Sequence, residues 1–248
     1  TSATVCDPRT HLERLTGVDF DCIGPEHDGS LQGRRKFWMV GSDDHYYDTG
    51  RKLALALAEA GLTVLAFCPS RIAAERMIAR LPRSETGDNG YVRVYRSGLS
   101  AQQREAIERG LRDRSVRLVF STNALELGID IGEIDVTLCI GLPPTMMSLW
   151  QRAGRSARGG REGATILIPA DTPIDTHYAE HPQEFFCRDQ EPLALNLTNQ
   201  RIVCQHYACA VHEAGGDEDR LRPDAVGPEM ARIQELRRQG KLTRDEFY

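Results

Sequence analysis

The chain has 248 residues, 40% of them hydrophobic and 27% charged, with a formal net charge of −5, a composition ordinary for a soluble globular protein. This length buries one good core plus a smaller second unit. No apolar run approaches the roughly 20 residues a membrane span requires, and residues 1–8 lack the basic start and apolar stretch of a signal peptide.

From about Lys36 the chain alternates between strand and helix patterns. Residues 37–40 form a short apolar strand candidate. Residues 49–60, rich in Ala with Leu53, Leu55 and Leu57 and closed by Gly61, predict a helix. A buried strand follows at 64–68, then Ser70 caps a helix running to about 81. The stretch 81–90, with Pro82, Gly87, Asp88, Asn89 and Gly90, reads as a loop. Next come a strand at 92–95, a helix at 101–112 and a strand at 116–121. A short helical stretch from Asn123 leads to a strand at 136–140, a helix at 145–154 and a strand at 164–168. Short, nearly continuous apolar strands separated by helices indicate an α/β fold with a parallel sheet covered on both faces. After Pro169 the character turns polar and acidic. Residues 171–186 suggest His-containing turns or helices, 199–213 a helix, 215–219 a loop and 227–240 a final charged helix, so a boundary is expected near 170.

Seven cysteines at 6, 22, 68, 139, 187, 204 and 209 include no CxxC pair. A disulfide framework is therefore not expected, and a reducing cytoplasm is the natural compartment. Cys204 and Cys209, with His206 and His212 nearby, could be half of a zinc site. Their spacing is not a standard one, and a plain helix with small buried residues is the competing reading. No metal ligands are assigned on the sequence.

The negative net charge is unevenly placed. Residues 91–161 carry 11 Arg and no Lys against 7 acids, whereas residues 171–191 carry 6 acids against Arg188 alone. A basic segment in an acidic chain is compatible with a phosphate-binding face.

Two segments carry the strongest chemical signal: Ser121-Thr122-Asn123-Ala124-Leu125-Glu126-Leu127-Gly128-Ile129-Asp130-Ile131-Gly132, and Gln151-Arg152-Ala153-Gly154-Arg155-Ser156-Ala157-Arg158. Each begins beside the C-terminal end of a predicted strand, where open α/β sheets bind ligands. Gln151, Arg155 and Arg158 recur at spacings that place them on one face of a helix, with Gly154 letting a neighbouring chain approach. Two guanidinium forks on one face suit a polyphosphate; a solvated arginine face is the bland alternative.

These segments resemble motifs V and VI of the superfamily 2 helicases, whose lobes have the RecA-like fold. The resemblance implies that Arg155 and Arg158 are arginine fingers reaching the γ-phosphate of ATP, with Gln151 helping to hold that phosphate and the attacking water. It places Gly128 and Asp130 near the nucleotide ribose and Thr122 on a nucleic-acid phosphate. Phe67-Cys68-Pro69-Ser70-Arg71 resembles motif IV, with Ser70 and Arg71 at a turn suited to a backbone phosphate, though Ser70 can equally be a helix cap. Arg96-Ser97-Gly98-Leu99-Ser100 with Arg104 resembles motif IVa, giving Ser97 and Gly98 as further nucleic-acid contacts, and Ser2-Ala3-Thr4 looks like motif III.

No GxxxxGK[ST] loop and no DExH or DEAD tetrapeptide occurs, and the chain does not begin with Met. The expectation is thus a second RecA-like lobe from a longer protein, inactive alone, with the phosphate loop and Mg²⁺ ligands on a first lobe that is its partner. Residues 1–35 would end the first lobe and link to the second, 36–170 would form the second lobe, and 171–248 would open a truncated, mainly helical accessory segment. Gln151 stands where DEAD-box RNA helicases have His. Segments 124–130, 149–151 and 171–213 are similar to the MrfA/YprA-like DNA helicases. That likeness implies a motor moving 3′ to 5′ on single-stranded DNA and acting in repair. An RNA helicase, a double-strand translocase and a non-catalytic binding lobe are the alternatives.

Overall fold

The computed structural model describes residues 5–29, 33–41, 44–79, 81–87, 89–126, 131–196, 199–217, 220–221 and 228–240. Six strands form one all-parallel sheet: β1 (Arg35–Met39), β2 (Val64–Phe67), β3 (Val92–Tyr95), β4 (Leu118–Ser121), β5 (Val136–Ile140) and β6 (Gly163–Ile168), in the order β1-β6-β5-β2-β4-β3. The central strands β2, β4 and β5 are buried at every residue, as unbroken apolar runs require when both sheet faces are covered. At the two edges, β1 alternates half-buried and exposed residues, and β3 is buried only at its first and last residues.

Helices α1 (Pro8–Thr16), α2 (Tyr46–Glu59), α3 (Arg71–Ile78), α4 (Arg83–Thr86) and α5 (Ala101–Arg112) alternate with or precede the strands. They are followed by α6 (Met146–Ala153), α7 (Pro173–Glu180), α8 (Pro182–Phe186), α9 (Gln200–Glu213) and α10 (Pro228–Arg238). Alternate residues along β2 feed two separate cores. Val64 and Ala66 join Ala54 and Ala58 of α2 and Ala74 and Met77 of α3. Leu65 and Phe67 join Ile107 and Leu111 of α5, Met146 and Leu149 of α6, and Phe185 of α8. The period-two pleat thus sorts one apolar run onto two helical layers.

Capping explains the helix starts. Ser70 Oγ accepts from the Ala73 N–H at 3.1 Å, and Ser100 and Gln103 bond reciprocally in a capping box at 3.2 and 3.0 Å. The start of α2 falls three residues before the predicted 49, because His45 Nδ1 accepts from the Tyr47 N–H at 3.3 Å and acts as an unexpected cap. The predicted loop at 81–90 contains the short α4, begun after Pro82.

Two compact units are present. One holds residues 29–191, the other residues 1–28 and 192–248. In the first, residues 171–191, read from the sequence as the opening of the accessory segment, pack with the sheet. Asp175 Oδ2 accepts from the N–H groups of Leu142 (3.0 Å) and Ala170 (2.8 Å), which follow the ends of β5 and β6. Phe185 is 1% exposed in the core on that side. Acidic composition suggested a boundary there, but one carboxylate and one aromatic ring suffice to dock α7 and α8. In the other unit Cys204 and Tyr207 of α9 pack with Ile233 of α10. Among the described residues no helix is long and apolar enough to cross a membrane.

One buried charge pair ties distant segments of the sheet unit together. Glu126, just past β4, accepts from Ser148 Oγ at 2.6 Å and from Arg152 Nε, both on α6. The Glu126 and Arg152 side chains are 12% and 11% exposed. Removing one member of such a pair strands the other in a dry site. We expect Glu126→Ala to destabilise the chain by about 3 kcal/mol, lowering Tm by roughly 10 °C, with Glu126→Gln intermediate because it keeps an acceptor for Ser148. Thermal unfolding followed by circular dichroism checks this; a loss below about 1 kcal/mol, the value of an exposed ion pair, would remove the pair from its structural role.

Candidate functional site

The sequence-derived residues fall at two places on the sheet unit. At the C-terminal ends of the adjacent strands β2, β4 and β3 lie Ser70 and Arg71, Thr122, and Ser97 with Gly98. Three strand exits in a row therefore present the residues assigned to a nucleic-acid backbone. Ser70 and Arg71 are exposed at the start of α3, and Ser97 and Gly98 are exposed in the turn before α5. Gly98 adopts φ +92°, a conformation that favours glycine. Thr122 is only 8% exposed, and its carbonyl accepts from Ser121 Oγ at 2.9 Å. The cap assignment of Ser70 holds, and its side chain is engaged with the α3 N-terminus.

The local arginine excess does not form one open face. Arg96 pairs with Glu75, Arg109 with Glu105, Arg114 and Arg161 with Glu133, and Arg152 with Glu126. Arg104, Arg112 and Arg117 of that segment are exposed and make no ion pair among the described residues, and Arg71 and Arg76 of α3 likewise. Arg71 and Arg76 leave positive charge beside Ser70 that no sequence count of residues 91–161 would locate.

Gln151, Arg155 and Arg158 do not share a helix face. Helix α6 ends at Ala153 with Gly154 as its C-cap, so Gln151 is helical while both arginines lie in the following loop. Ala157, at φ 59°, turns the chain so that Arg158 is exposed while Arg155 is 5% exposed. Arg155 Nη2 donates to the Glu126 carbonyl at 2.7 Å, and Arg158 Nε to the Gly154 carbonyl at 3.2 Å. Helical spacing was the wrong template because Gly154 stops the helix before the second turn of the pattern is complete.

Nor do these arginines sit at the C-terminal ends of the strands. Ser156 bridges Ile134, two residues before β5, and its carbonyl accepts from Arg35 Nη2 of β1 at 3.0 Å. Gly33 passes so close to the loop that a Cβ there would meet the Ala157 and Arg161 carbonyl oxygens at 2.0 and 2.3 Å. The loop at 154–161 thus lies against the N-terminal ends of β1, β5 and β6. The eight-residue α6, about 12 Å long, carries the chain there by running back across the sheet.

Glu126 joins the two signature segments, and the sequence reading gave it no role. Its side chain holds Ser148 and Arg152, while its carbonyl holds Arg155. The available signal was Ser148 and Arg152 at a spacing of four, on the face of α6 that also carries buried Leu149 and Met146. A buried Arg on that face demands a carboxylate partner. Arg152 also lies over the Phe67 ring, 5.0 Å from its centroid. The surroundings are dry: burial pushes the Cys68 thiol up to about 12 and that of Cys139 to about 11, against the opposing pull of Arg152. Trp150, beside Gln151, packs edge-on against Phe37 at 5.7 Å.

Gly128 and Asp130, assigned to the ribose, and Ser2-Ala3-Thr4 lie outside the described residues. Cys204 is buried and Cys209 exposed on α9. Among the described residues these two cysteines do not gather with His206 and His212 into a ligand set.

The helicase conserved C-terminal domain matches residues 49–160, from α2 through the arginine loop. The ATP-dependent helicase YprA of Bacillus subtilis is 33% identical over 225 residues, covering 86% of this chain and 30% of YprA. The ATP-dependent helicase hrq1 of Schizosaccharomyces pombe is 32% identical over 229 residues, covering 86% of this chain and 21% of hrq1. The crystal structure of the helicase MrfA bound to DNA and AMPPNP superposes with a TM-score of 0.78 at 32% identity, covering 95% of this chain and 34% of that one. The chain therefore spans about a third or less of the length of these three relatives. With a RecA-like six-stranded parallel sheet, the two joined signature segments and relatives that follow it over most of its length, the chain is a helicase C-terminal lobe and belongs to the superfamily 2 helicases of the MrfA/YprA-like type.

Proposed function

We propose that this lobe serves an ATP-dependent DNA helicase or translocase, giving arginine fingers to ATP on a first lobe and phosphate contacts to single-stranded DNA. The observation that carries this reading is the Glu126 junction. It fixes the segment leaving β4, with Thr122, to α6 and the arginine loop, so the DNA-side and nucleotide-side residues form one rigid piece. The similarity to MrfA, whose structure holds DNA and AMPPNP, supports the same ligands here.

In this mechanism the first lobe holds ATP and Mg²⁺ through its phosphate loop and carboxylate. Closure brings the exposed Arg158 to the γ-phosphate, and Arg155 exchanges the Glu126 carbonyl for a phosphate oxygen. In a cleft emptied of water both guanidiniums stabilise charge spread over the transferring phosphoryl group. Gln151 orients the attacking water, and Gly128 and Asp130 approach the ribose. At the opposite edge of the sheet Ser70, Arg71, Ser97, Gly98 and Thr122 grip successive phosphates, with the exposed N-terminus of α3 favouring an anion. Contacts of this kind position the strand without reading bases. Hydrolysis reopens the lobes and moves the grip by about a nucleotide, 3′ to 5′, in DNA repair within the cytoplasm.

Arg155→Ala and Arg158→Ala in the full-length protein should each lower DNA-stimulated ATP turnover by at least about 10²-fold. Nucleotide binding, measured in parallel by fluorescence titration, should largely survive. Near-normal turnover in both variants would turn the assignment toward a non-catalytic binding lobe. Arg71→Ala should weaken single-stranded DNA binding about equally across sequences and reduce the salt-dependence slope by about 1. Anisotropy titrations over a range of salt concentrations measure this, and an unchanged slope would take Arg71 off the DNA path.

A further inference from the structure

We propose that His177, His181 and Glu184 form a site for a divalent transition-metal ion of the zinc class, on the elbow between α7 and α8. One ligand atom from each lies within 4.8 Å of the others, and all three side chains are exposed. Two imidazoles and one carboxylate are a donor set suited to zinc, which takes nitrogen and oxygen at about 2.0–2.2 Å and leaves a fourth position to water. Tetrahedral bonds of that length need ligand atoms roughly 3.3 Å apart, which small rotations of exposed side chains supply.

The backbone builds the cluster. His177 and His181 are four residues apart, so they face the same side, with ring centroids 4.8 Å apart at 26°. Helix α7 ends at Glu180, and Pro182, at the first position of α8, cannot continue it. The chain turns at His181 and brings Glu184, in the first turn of α8, back to His177, whose Nε2 lies 2.9 Å from Glu184 Oε2. His181 Nδ1 lies 3.1 Å from the His177 carbonyl. A carbonyl only accepts, so Nδ1 carries a proton and Nε2 is the ring nitrogen left to face an ion. Outer-shell bonds of this kind fix the tautomer of metal-bound histidines.

The ligands stand on anchored elements. Asp175 of α7 is bonded to two backbone N–H groups beyond β5 and β6, and Phe185 of α8 is buried. Phe186 meets Phe37 at 5.6 Å, and Phe37 meets Trp150 next to Gln151. A metal here would staple the elbow over the packing that supports Gln151. The bland reading is a solvated His–carboxylate pair, and metal binding separates the two.

The test is calorimetric titration of Zn²⁺ into the metal-free 248-residue chain, with the exposed thiols removed by Cys22→Ser, Cys187→Ser and Cys209→Ser so that they cannot bind the ion. Circular dichroism checks that each variant is folded. Co²⁺ titration followed by visible absorption gives a second readout from the ligand field. A single Zn²⁺ equivalent is expected, weakened at least about tenfold by His177→Ala, by His181→Ala and by Glu184→Gln. Absence of binding at submillimolar Zn²⁺, or binding that survives either histidine substitution unchanged, overturns the proposal.

Discussion

Between β4 and α6 a carboxylate and a guanidinium meet out of water, and the candidate site depends on that meeting. Glu126 and Arg152 are 26 residues apart in sequence and nearly closed to solvent. Desolvating two charges is costly, and their attraction offsets this only when the remaining hydrogen-bonding capacity is also filled. Here Ser148 fills part of it, the Glu126 carbonyl takes Arg155, and the Phe67 ring covers Arg152. An apolar pair of similar volume would pack as well, but it would fix neither the direction of Arg155 nor the path of the chain leaving β4. The ion pair therefore contributes geometry at least as much as stability.

The sheet sets how far apart the two groups of candidate residues lie. All six strands are parallel, so residues at strand exits share one edge, while any helix that follows a strand returns the chain to the other. Ser70, Ser97 and Thr122 stay at the exits because each belongs to the turn just past its strand. Arg155 and Arg158 come a whole helix later and so reach the opposite edge, clamped by Ser156, Arg35 and Gly33. A close-packed sheet between them is stiff. Displacement of the arginine loop can then move the strand exits without large internal rearrangement, which is what the proposed motor requires.

Buried side chains around the junction are chosen for dryness. Cys68 and Cys139 behave as small apolar residues, their thiols held protonated by burial rather than poised for reaction.

Local rules made much of this fold legible. Apolar runs gave the strands, at 92–95 and 136–140 to the residue, and the Ser70 cap and Gly61 marked the start of α3 and the end of α2. The two signature segments were visible for the same reason, since their residues are contiguous. What the sequence by itself determined was the parallel α/β fold, the order of its elements and the residues able to carry phosphate chemistry. Only the tertiary structure decided that Arg155 turns inward while Arg158 faces out, that Arg71 and Arg76 keep exposed charge while Arg96, Arg109, Arg114, Arg152 and Arg161 are paired, that Glu126 is the junction, and that Glu184 meets two histidines across a helix break. Each of those outcomes depends on which groups meet across the fold, where a charge finds or lacks a partner once water is excluded. Periodicity and spacing along the chain describe only neighbours in sequence.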